Sequence, residues 1–438
     1  MRVDTDRPLL RDLPRHVAPA TPSGSIDRAS EPDISEALAL REALAAALLH
    51  HPRLRATAWG PRVEEARRLQ AGLLPNPEAD LELENFGGSG ELSSTDALET
   101  TLLLRQLIEL GGKREARVRA AEEAWRVSSF DYEAQRLDVL TETAGRFVRV
   151  LALQQRVAFA ERAQELADES RRVIDRRVEA GDVSPIDKIK ATLESESARI
   201  AADRVRRELE AARRELSAMW DRDTPVFSSV LGSLDRLEAI PPLAELADQL
   251  DAHPRMQRWA ADADRLVAEA ELAQAQGVPD VTVGLGVRYE DESDDTALEA
   301  GLSVPLAIFD RNQGNTLAAR FEAAQARDEG RVIRRELATQ LGQAHSRLDA
   351  AYHEATSIQT ALLPAAREAY EATRRAYEGG KTAYLEVLDA QRTLFATETQ
   401  RLEALAEYHV ALVQVEGLVS RPLHEAVPTS PPFSGDQP

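Results

Sequence analysis

Two periodicities alternate along this chain. From Pro52 to about Leu74, and again from Pro254 to about Gln276, apolar residues recur at helical spacing. Each stretch opens on a proline, which suits the first turn of a helix because its missing N–H would be unpaired there anyway. The pattern then changes to strict alternation. Glu78-Ala79-Asp80-Leu81-Glu82-Leu83-Glu84 places acidic and apolar residues on opposite faces, and Asp280-Val281-Thr282-Val283-Gly284-Leu285-Gly286-Val287-Arg288-Tyr289 does likewise, as a strand with two unlike faces demands. A polar loop follows each, and then a second alternating run: Leu98, Thr100, Leu102 and Leu104 in one case, Leu298, Ala300, Leu302 and Val304 in the other. Two β-hairpins are expected.

Each hairpin leads through a glycine- or asparagine-bearing turn into a helix of unusual length, about Glu115–Glu179 and about Thr316–Glu378. At 1.5 Å per residue, a helix of that size reaches on the order of 100 Å. Phe130, Leu137, Ala144 and Leu151 keep heptad spacing, interleaved with Leu140 and Phe147. Pro364 interrupts the second long helix and predicts a local distortion there. Glycine turns reverse the chain at Gly181-Asp182 and Gly379-Gly380-Lys381-Thr382. The return helices carry a seam of Ile186, Ile189, Leu193, Ile200, Leu209 and Leu216, and of Leu388, Phe395, Leu402, Leu405, Leu412 and Val419.

The chain is therefore a duplication. His51-Pro52-Arg53-Leu54 recurs as His253-Pro254-Arg255-Met256, a shift of 202 residues; Leu98-Glu99 recurs as Leu298-Glu299, a shift of 200. Glu179-Ala180-Gly181 returns as Glu378-Gly379-Gly380. Shared helical composition does not explain punctuation that stays aligned over so long a span. The expected organisation is a disordered segment over 1–33, a first repeat over 34–220 (strands about 78–86 and 96–104, helical turn about 181–185) and a linker over 221–242. A second repeat covers 243–423 (strands about 280–290 and 296–304, helical turn about 379–384), before a disordered tail over 424–438.

Composition narrows the chemistry. The net charge is −21, charged residues make up 29% and aromatics 5% of the 438 residues, and cysteine is absent. The acidic balance argues against a nucleic-acid partner, which needs clustered cations. Without cysteine there is no disulfide, thiolate metal site or lipidated N-terminal cysteine. The eight histidines are scattered: His345 and His353 are too far apart for a metal pair on adjacent turns, and His409 falls on the heptad seam. Gly284 and Gly286 lie within a strand and do not complete a nucleotide-binding motif. No catalytic site, cofactor or resident metal is expected. No run is long and apolar enough for a transmembrane helix, Ala43–Leu49 being the longest, and residues 1–30 show no secretory signal peptide.

Strands of about nine residues are nevertheless long enough to cross an outer membrane when tilted. Four of them cannot close a barrel, and open edges are not tolerated in lipid, so membrane strands here require several chains. A soluble four-stranded sheet is the alternative on pattern alone.

The order of these features, from about Ile34 to Leu423, resembles the TolC-like outer-membrane efflux channels. Leu107-Ile108-Glu109-Leu110-Gly111-Gly112-Lys113-Arg114 and Val304-Pro305-Leu306 with Phe309-Asp310-Arg311-Asn312-Gln313-Gly314 look like the strand-to-helix junctions of the heavy-metal, cobalt–zinc–cadmium type branch. Gly380-Lys381-Thr382 followed by Leu385-Glu386-Val387-Leu388-Asp389 looks like the family's periplasmic turn. The resemblance implies a mainly α protein with a small membrane β-barrel portion, a homotrimer closing a twelve-stranded barrel above a long periplasmic α-helical tunnel. It implies residence in the outer-membrane lipid, a periplasmic adaptor protein and an inner-membrane pump of the resistance-nodulation-division type. With Leu81, Leu83, Val281, Val283, Leu285 and Val287 toward lipid, the alternation assigns Asp80, Glu82, Glu84, Glu99, Arg288 and Glu299 to an acidic lumen that favours cations. By the family's pattern Glu386 and Asp389 belong to the periplasmic entrance. Asp187 matches Glu386 in the first repeat, and Lys190 stands where the second has Asp389. Gly181, Asp182, Gly379, Gly380, Lys381 and Thr382 mark the turns where an adaptor docks. The expected function is a passive conduit of a tripartite efflux system, with divalent heavy-metal cations the favoured cargo. Drug or organic-solute efflux and a type I secretion outlet are alternatives within the family; a soluble coiled-coil scaffold is the alternative outside it.

Overall fold

The computed structural model describes residues 13–19, 34–90 and 95–423. In chain order the elements are β1 (Ala37–Leu38), α1 (Leu40–His50), α2 (Pro52–Thr57), α3 (Trp59–Ala71), β2 (Glu78–Glu84), β3 (Glu99–Ile108), α4 (Lys113–Glu179) and α5 (Pro185–Ser217). They continue with β4 (Ser229–Val230), α6 (Leu243–Ala247), α7 (Pro254–Gln276), β5 (Val281–Glu290), β6 (Asp295–Ser303), α8 (Gln313–Ser357), α9 (Leu363–Glu378) and α10 (Tyr384–Val419). Single 3-10 turns lie at Ala218–Trp220 and Leu250–Ala252. Two compact units result, one from Met1–Ala58, Tyr132–Pro254 and Arg334–Pro438, the other from Trp59–Asp131 and Arg255–Ile333.

The second unit holds a four-stranded antiparallel sheet in the order β2-β3-β5-β6. Both hairpins form, with one shift: β3 begins at Glu99 and runs to Ile108, later than the stretch the alternation indicates. Thr95–Leu98 is turned instead, with the Leu98 N–H on the Thr95 carbonyl at 3.0 Å, and β5 extends β3 at its far end by pairing Ile108 with Val281. The helix anticipated over Pro52–Leu74 is divided at Ala58 into α2 and α3, whereas its counterpart α7 is continuous.

Junctions between strand and helix are tied to the preceding helix. Arg114 and Arg117 donate to the carbonyls of Gly72 (2.7 Å) and Ala71 (2.9 Å) at the end of α3, satisfying acceptors that a helix C-terminus leaves open. Arg117 also pairs with Glu109 at 2.6 Å. In the second repeat the left-handed Asn312 (φ 58°) reaches the Ala273 carbonyl at 2.7 Å. Gly111, also left-handed (φ 69°), lies so close to Val278 that a Cβ would approach its side chain to 2.7 Å.

In the first unit the core gathers Phe147, Val150, Leu151, Leu216, Met219, Trp220 and Leu405 from α4, α5, the turn after α5, and α10. The stretch expected as a linker is part of it. Phe227, Val230 and Leu234 are buried, β4 pairs in parallel with β1, and the Gln154 amide both donates to and accepts from Val230. His409 and His345 hold the carbonyls of Leu234 and Pro241 at 2.9 and 3.0 Å. The Tyr408 hydroxyl accepts from the Glu238 N–H and donates to its carbonyl.

Residues 13–19, expected within a disordered segment, are instead packed. Ala18 is buried with Leu48, Leu54, Ala58, Tyr132 and Leu140. Tyr132 donates to the His16 carbonyl at 2.7 Å, and Arg15 reaches the buried Glu133 at 2.7 Å. The other residues of the 1–33 and 424–438 segments lie outside the described ones. Pro364 does distort its helix: α8 gives way to a five-residue π turn, Ile358–Leu362, before α9, because a proline has no N–H for the preceding turn.

Candidate functional site: a two-faced sheet and two helical turns

Register, rather than any pocket, organises the sheet. Leu81 lies opposite Leu102, Leu83 opposite Thr100, Leu104 opposite Leu285, and Val287 opposite Leu298, so apolar side chains share one face across all four strands. Among the described residues nothing covers that face. Leu298 is 90% exposed, Leu302 72%, Leu285 66% and Leu81 64%. Side chains of this size each lose about 1.5–3 kcal/mol by staying in water, and a contiguous exposed apolar surface of this kind marks a membrane or an interface.

The opposite face is polar and acidic. Asp80, Glu82, Glu84, Glu99, Arg288 and Glu299 all fall on it, as the alternation indicates: Glu84 faces Glu99, Thr101 faces Arg288, and Gly286 faces Glu299. Two cations moderate the charge. Arg288 lies 3.6 Å from Glu99, which also accepts from Asn85 at 2.8 Å. Arg105 pairs with Asp80 at 3.3 Å. Arg105 is absent from the sequence reading of this face because that reading ends the strand at residue 104. Leu103 shares the polar face and covers glycines: a Cβ on Gly286 would come within 2.8 Å of its side chain and 2.5 Å of the Leu102 carbonyl.

At the two helical turns the chain reverses through Gly181 and Gly380. Both have positive φ, 78° and 69°. The Asp182 N–H bonds the Arg177 carbonyl and the Gly181 N–H that of Val178; Lys381 with Ala376 and Gly380 with Tyr377 repeat the arrangement. This is the left-handed glycine cap of a helix C-terminus. Gly379 differs, with φ −83° as the C-cap of α9. Asp182 and Lys381 are exposed and Thr382 is half-buried. Ser184 caps α5 by accepting from the Ile186 N–H at 3.2 Å.

Asp187 lies 3.7 Å from Lys190 on the same helix, whereas Glu386 and Asp389 are exposed on α10. Beneath the turns lies a cluster the sequence reading missed: Tyr370, Tyr384, Val387 and Leu388 pack with Ile174 and Ala191. Tyr377 lies 5.7 Å from Tyr384, and Arg177 sits over its ring at 5.0 Å. Burial pushes the Tyr384 hydroxyl up to about 12, with Tyr377, Glu194 and Asp187 adding to the shift. The seven-residue spacing of Tyr370 and Tyr377 on α9, beside the seam residue Leu388, is the signal in the sequence that points to this cluster.

The return-helix seam divides. Leu209 and Leu216 are buried, but Ile186, Ile189, Leu193 and Ile200 are 60–65% exposed. Among the described residues, no group of three or more His, Cys, Asp or Glu side chains is placed to hold a metal ion, and no helix is long and apolar enough to cross a membrane.

A duplicated chain with a sheet apolar on one face and acidic on the other, together with very long helices, has the makings of an outer-membrane channel of the TolC-like class. The chain belongs to the outer membrane efflux protein family, which it matches over residues 43–222 and 246–420. It is 33% identical over 384 residues to the cobalt-zinc-cadmium resistance protein CzcC of Cupriavidus metallidurans, covering 88% of this chain and 90% of that one. It is 27% identical to the nickel-cobalt-cadmium resistance protein NccC of Alcaligenes xylosoxydans, covering 70% and 68% respectively. The fold is shared with crystal structures of the transmembrane-channel protein CusC (TM-score 0.74, 16% identity, 87% of this chain and 91% of that one). These relationships support the cobalt–zinc–cadmium branch and outer-membrane localisation. The family is one of channels rather than enzymes, whose members work with adaptor and inner-membrane pump partners.

Proposed function

We propose that three copies of this chain close a twelve-stranded barrel and conduct divalent heavy-metal cations outward across the outer membrane. The observation that carries the reading is the segregation of the sheet into an uncovered apolar face and an acidic one. In lipid, the unpaired edges of β2 and β6 would each leave backbone groups unsatisfied at several kcal/mol apiece, so the sheet must be closed by other copies. The exposed stripe Ile186, Ile189, Leu193 and Ile200 supplies a matching apolar contact for helices of neighbouring copies. The resistance named for CzcC and NccC supports cobalt, zinc and cadmium as cargo, and the acidic face suits cations by raising their local concentration.

The helices extend into the periplasm as a tunnel. The turns at Gly181-Asp182 and Gly379-Gly380-Lys381-Thr382 dock a periplasmic adaptor, and a resistance-nodulation-division type pump in the inner membrane supplies the energy. Glu386 and Asp389 form the charged part of the entrance, because Lys190 offsets Asp187.

Deleting the gene and scoring growth across cations tests the cargo. Loss of tolerance to cobalt, zinc or cadmium, restored by the intact chain, is expected. Unchanged metal tolerance with new sensitivity to organic solutes would overturn the metal assignment, and a protein that stays monodisperse and monomeric without detergent would overturn the channel itself.

A further inference from the structure

The two hairpins obey a single register rule. Subtracting 202 from positions in β5 and 200 from positions in β6 converts the pair Val283–Leu302 into Leu81–Leu102, and Gly286–Glu299 into Glu84–Glu99. These are the shifts that relate the repeats along the sequence. The duplication is thus exact at the level of strand pairing.

The middle of the sheet is then a template for its open edges. There β3, the last strand of the first hairpin, pairs with β5, the first strand of the second. In an assembly, β6 must do the same with β2 of the next copy. Applying the two shifts, Leu104–Leu285 becomes Val304–Leu83, Gln106–Val283 becomes Leu306–Leu81, and Ile108–Val281 becomes Ile308–Ala79. We infer that β6 pairs with β2 of the next copy in this register, and that residues 304–308, which are not a strand in the single chain, become one on assembly. This rests on the proposed oligomer and specifies its seam.

Independent features agree with the assignment. On β6 the even positions Leu298, Ala300 and Leu302 lie on the apolar face, and on β2 the odd positions Ala79, Leu81 and Leu83 do. The inferred pairs join even to odd, keeping the apolar face continuous; a one-residue slip would mix the faces. Val304-Pro305-Leu306-Ala307-Ile308 continues the alternation of β6. Its apolar positions have no cover among the described residues, Leu306 being 79% and Ile308 62% exposed. Only slips of two residues also preserve the faces, and the template chooses among them.

The absence of cysteine from the chain makes the test clean. Val304→Cys is combined in turn with Leu83→Cys, Leu81→Cys and Ala79→Cys in the full-length protein in outer membranes, and oxidation rates are compared. Directly opposite residues have Cβ atoms roughly 4.5–5.5 Å apart and two-residue diagonals roughly 7–8 Å, so only the true pair closes readily to a disulfide. Leu104→Cys with Leu285→Cys, the equivalent pair inside one chain, is the positive control. The expected result is covalently linked copies forming fastest with Leu83→Cys. Faster linkage to Leu81→Cys or Ala79→Cys, or no linkage in a protein that is trimeric in detergent, overturns the register while leaving the channel reading intact. A monomer in detergent before oxidation overturns the oligomer itself.

Discussion

Individual side chains in the first unit show where stability is sensitive to acid. His16, His50 and His51 are all held below the ordinary histidine value, chiefly by burial; Arg55 and His50 act on His16, and Arg55 and Arg222 on His50. For His51, Glu142 and Asp221 oppose the shift while Arg53 and Arg146 add to it. A histidine whose folded-state value is lowered favours the folded state when neutral. That contribution is present above 6.5 and is lost as pH falls below it toward the folded-state values. Tryptic cleavage after Arg15, which protection by Tyr132 and Glu133 should slow at neutral pH, is expected to accelerate on acidification below pH 6.5. His16→Gln should reduce that dependence; an unaltered pH profile would show that His16 contributes nothing to it. A second sensitive position is Gly330. The Trp259 ring lies where its Cβ would be, at 2.2 Å, and the indole donates to the Ala326 carbonyl at 2.6 Å. Gly330→Ala should destabilise by about 1–3 kcal/mol through overpacking, read as a lowered melting temperature.

Elements differ in how plainly the sequence announces them, and the reason is periodicity. The hairpins, long helices and glycine turns are legible because alternation, heptads and paired punctuation repeat with a fixed shift. The acidic face is equally legible, since a strand's faces follow from parity alone. Arg105 escapes notice because the last residues of β3 are held by pairing with β5, a contact no local pattern encodes. The packed linker escapes for a related reason: Phe227 and Leu234 sit in irregular chain beside a strand of only two residues, and His345, Tyr408 and His409 hold it through main-chain groups. The turns themselves allow a sharp contrast. Gly380 has φ 69°, so Gly380→Val should cost about 1–2 kcal/mol in local backbone energy and impair efflux with oligomers intact. Gly379, at φ −83°, should accept alanine with a change within about 0.5 kcal/mol. Growth on metal measured beside oligomer yield checks both; loss of oligomers with Gly380→Val would contradict the placement of this turn at the adaptor end.

For the whole molecule, the net charge of −21 first reads as the mark of a soluble acidic protein. The sheet gives part of that charge a definite place. Asp80, Glu82 and Glu84 lie along one edge strand on the polar face, and among the described residues only Asp80 has an arginine within ion-pair distance. In water a carboxylate about 8 Å from a passing cation contributes about 0.5 kcal/mol, roughly a twofold enrichment per charge. In the proposed barrel, threefold repetition would multiply the number of such charges, and screening over about 10 Å at 0.1 M salt would confine their effect to its lumen. Replacing Asp80, Glu82 and Glu84 together by lysine should therefore lower the cation-over-anion permeability ratio in planar bilayers, most at low ionic strength. Reversal potentials under a salt gradient report this ratio directly, without reference to metal transport in cells. If the ratio is unchanged while single-channel conductance stays normal, the acidic face serves only to keep the lumen wet, and selectivity must be set at the entrance, where Glu386 and Asp389 are the next charges to reverse.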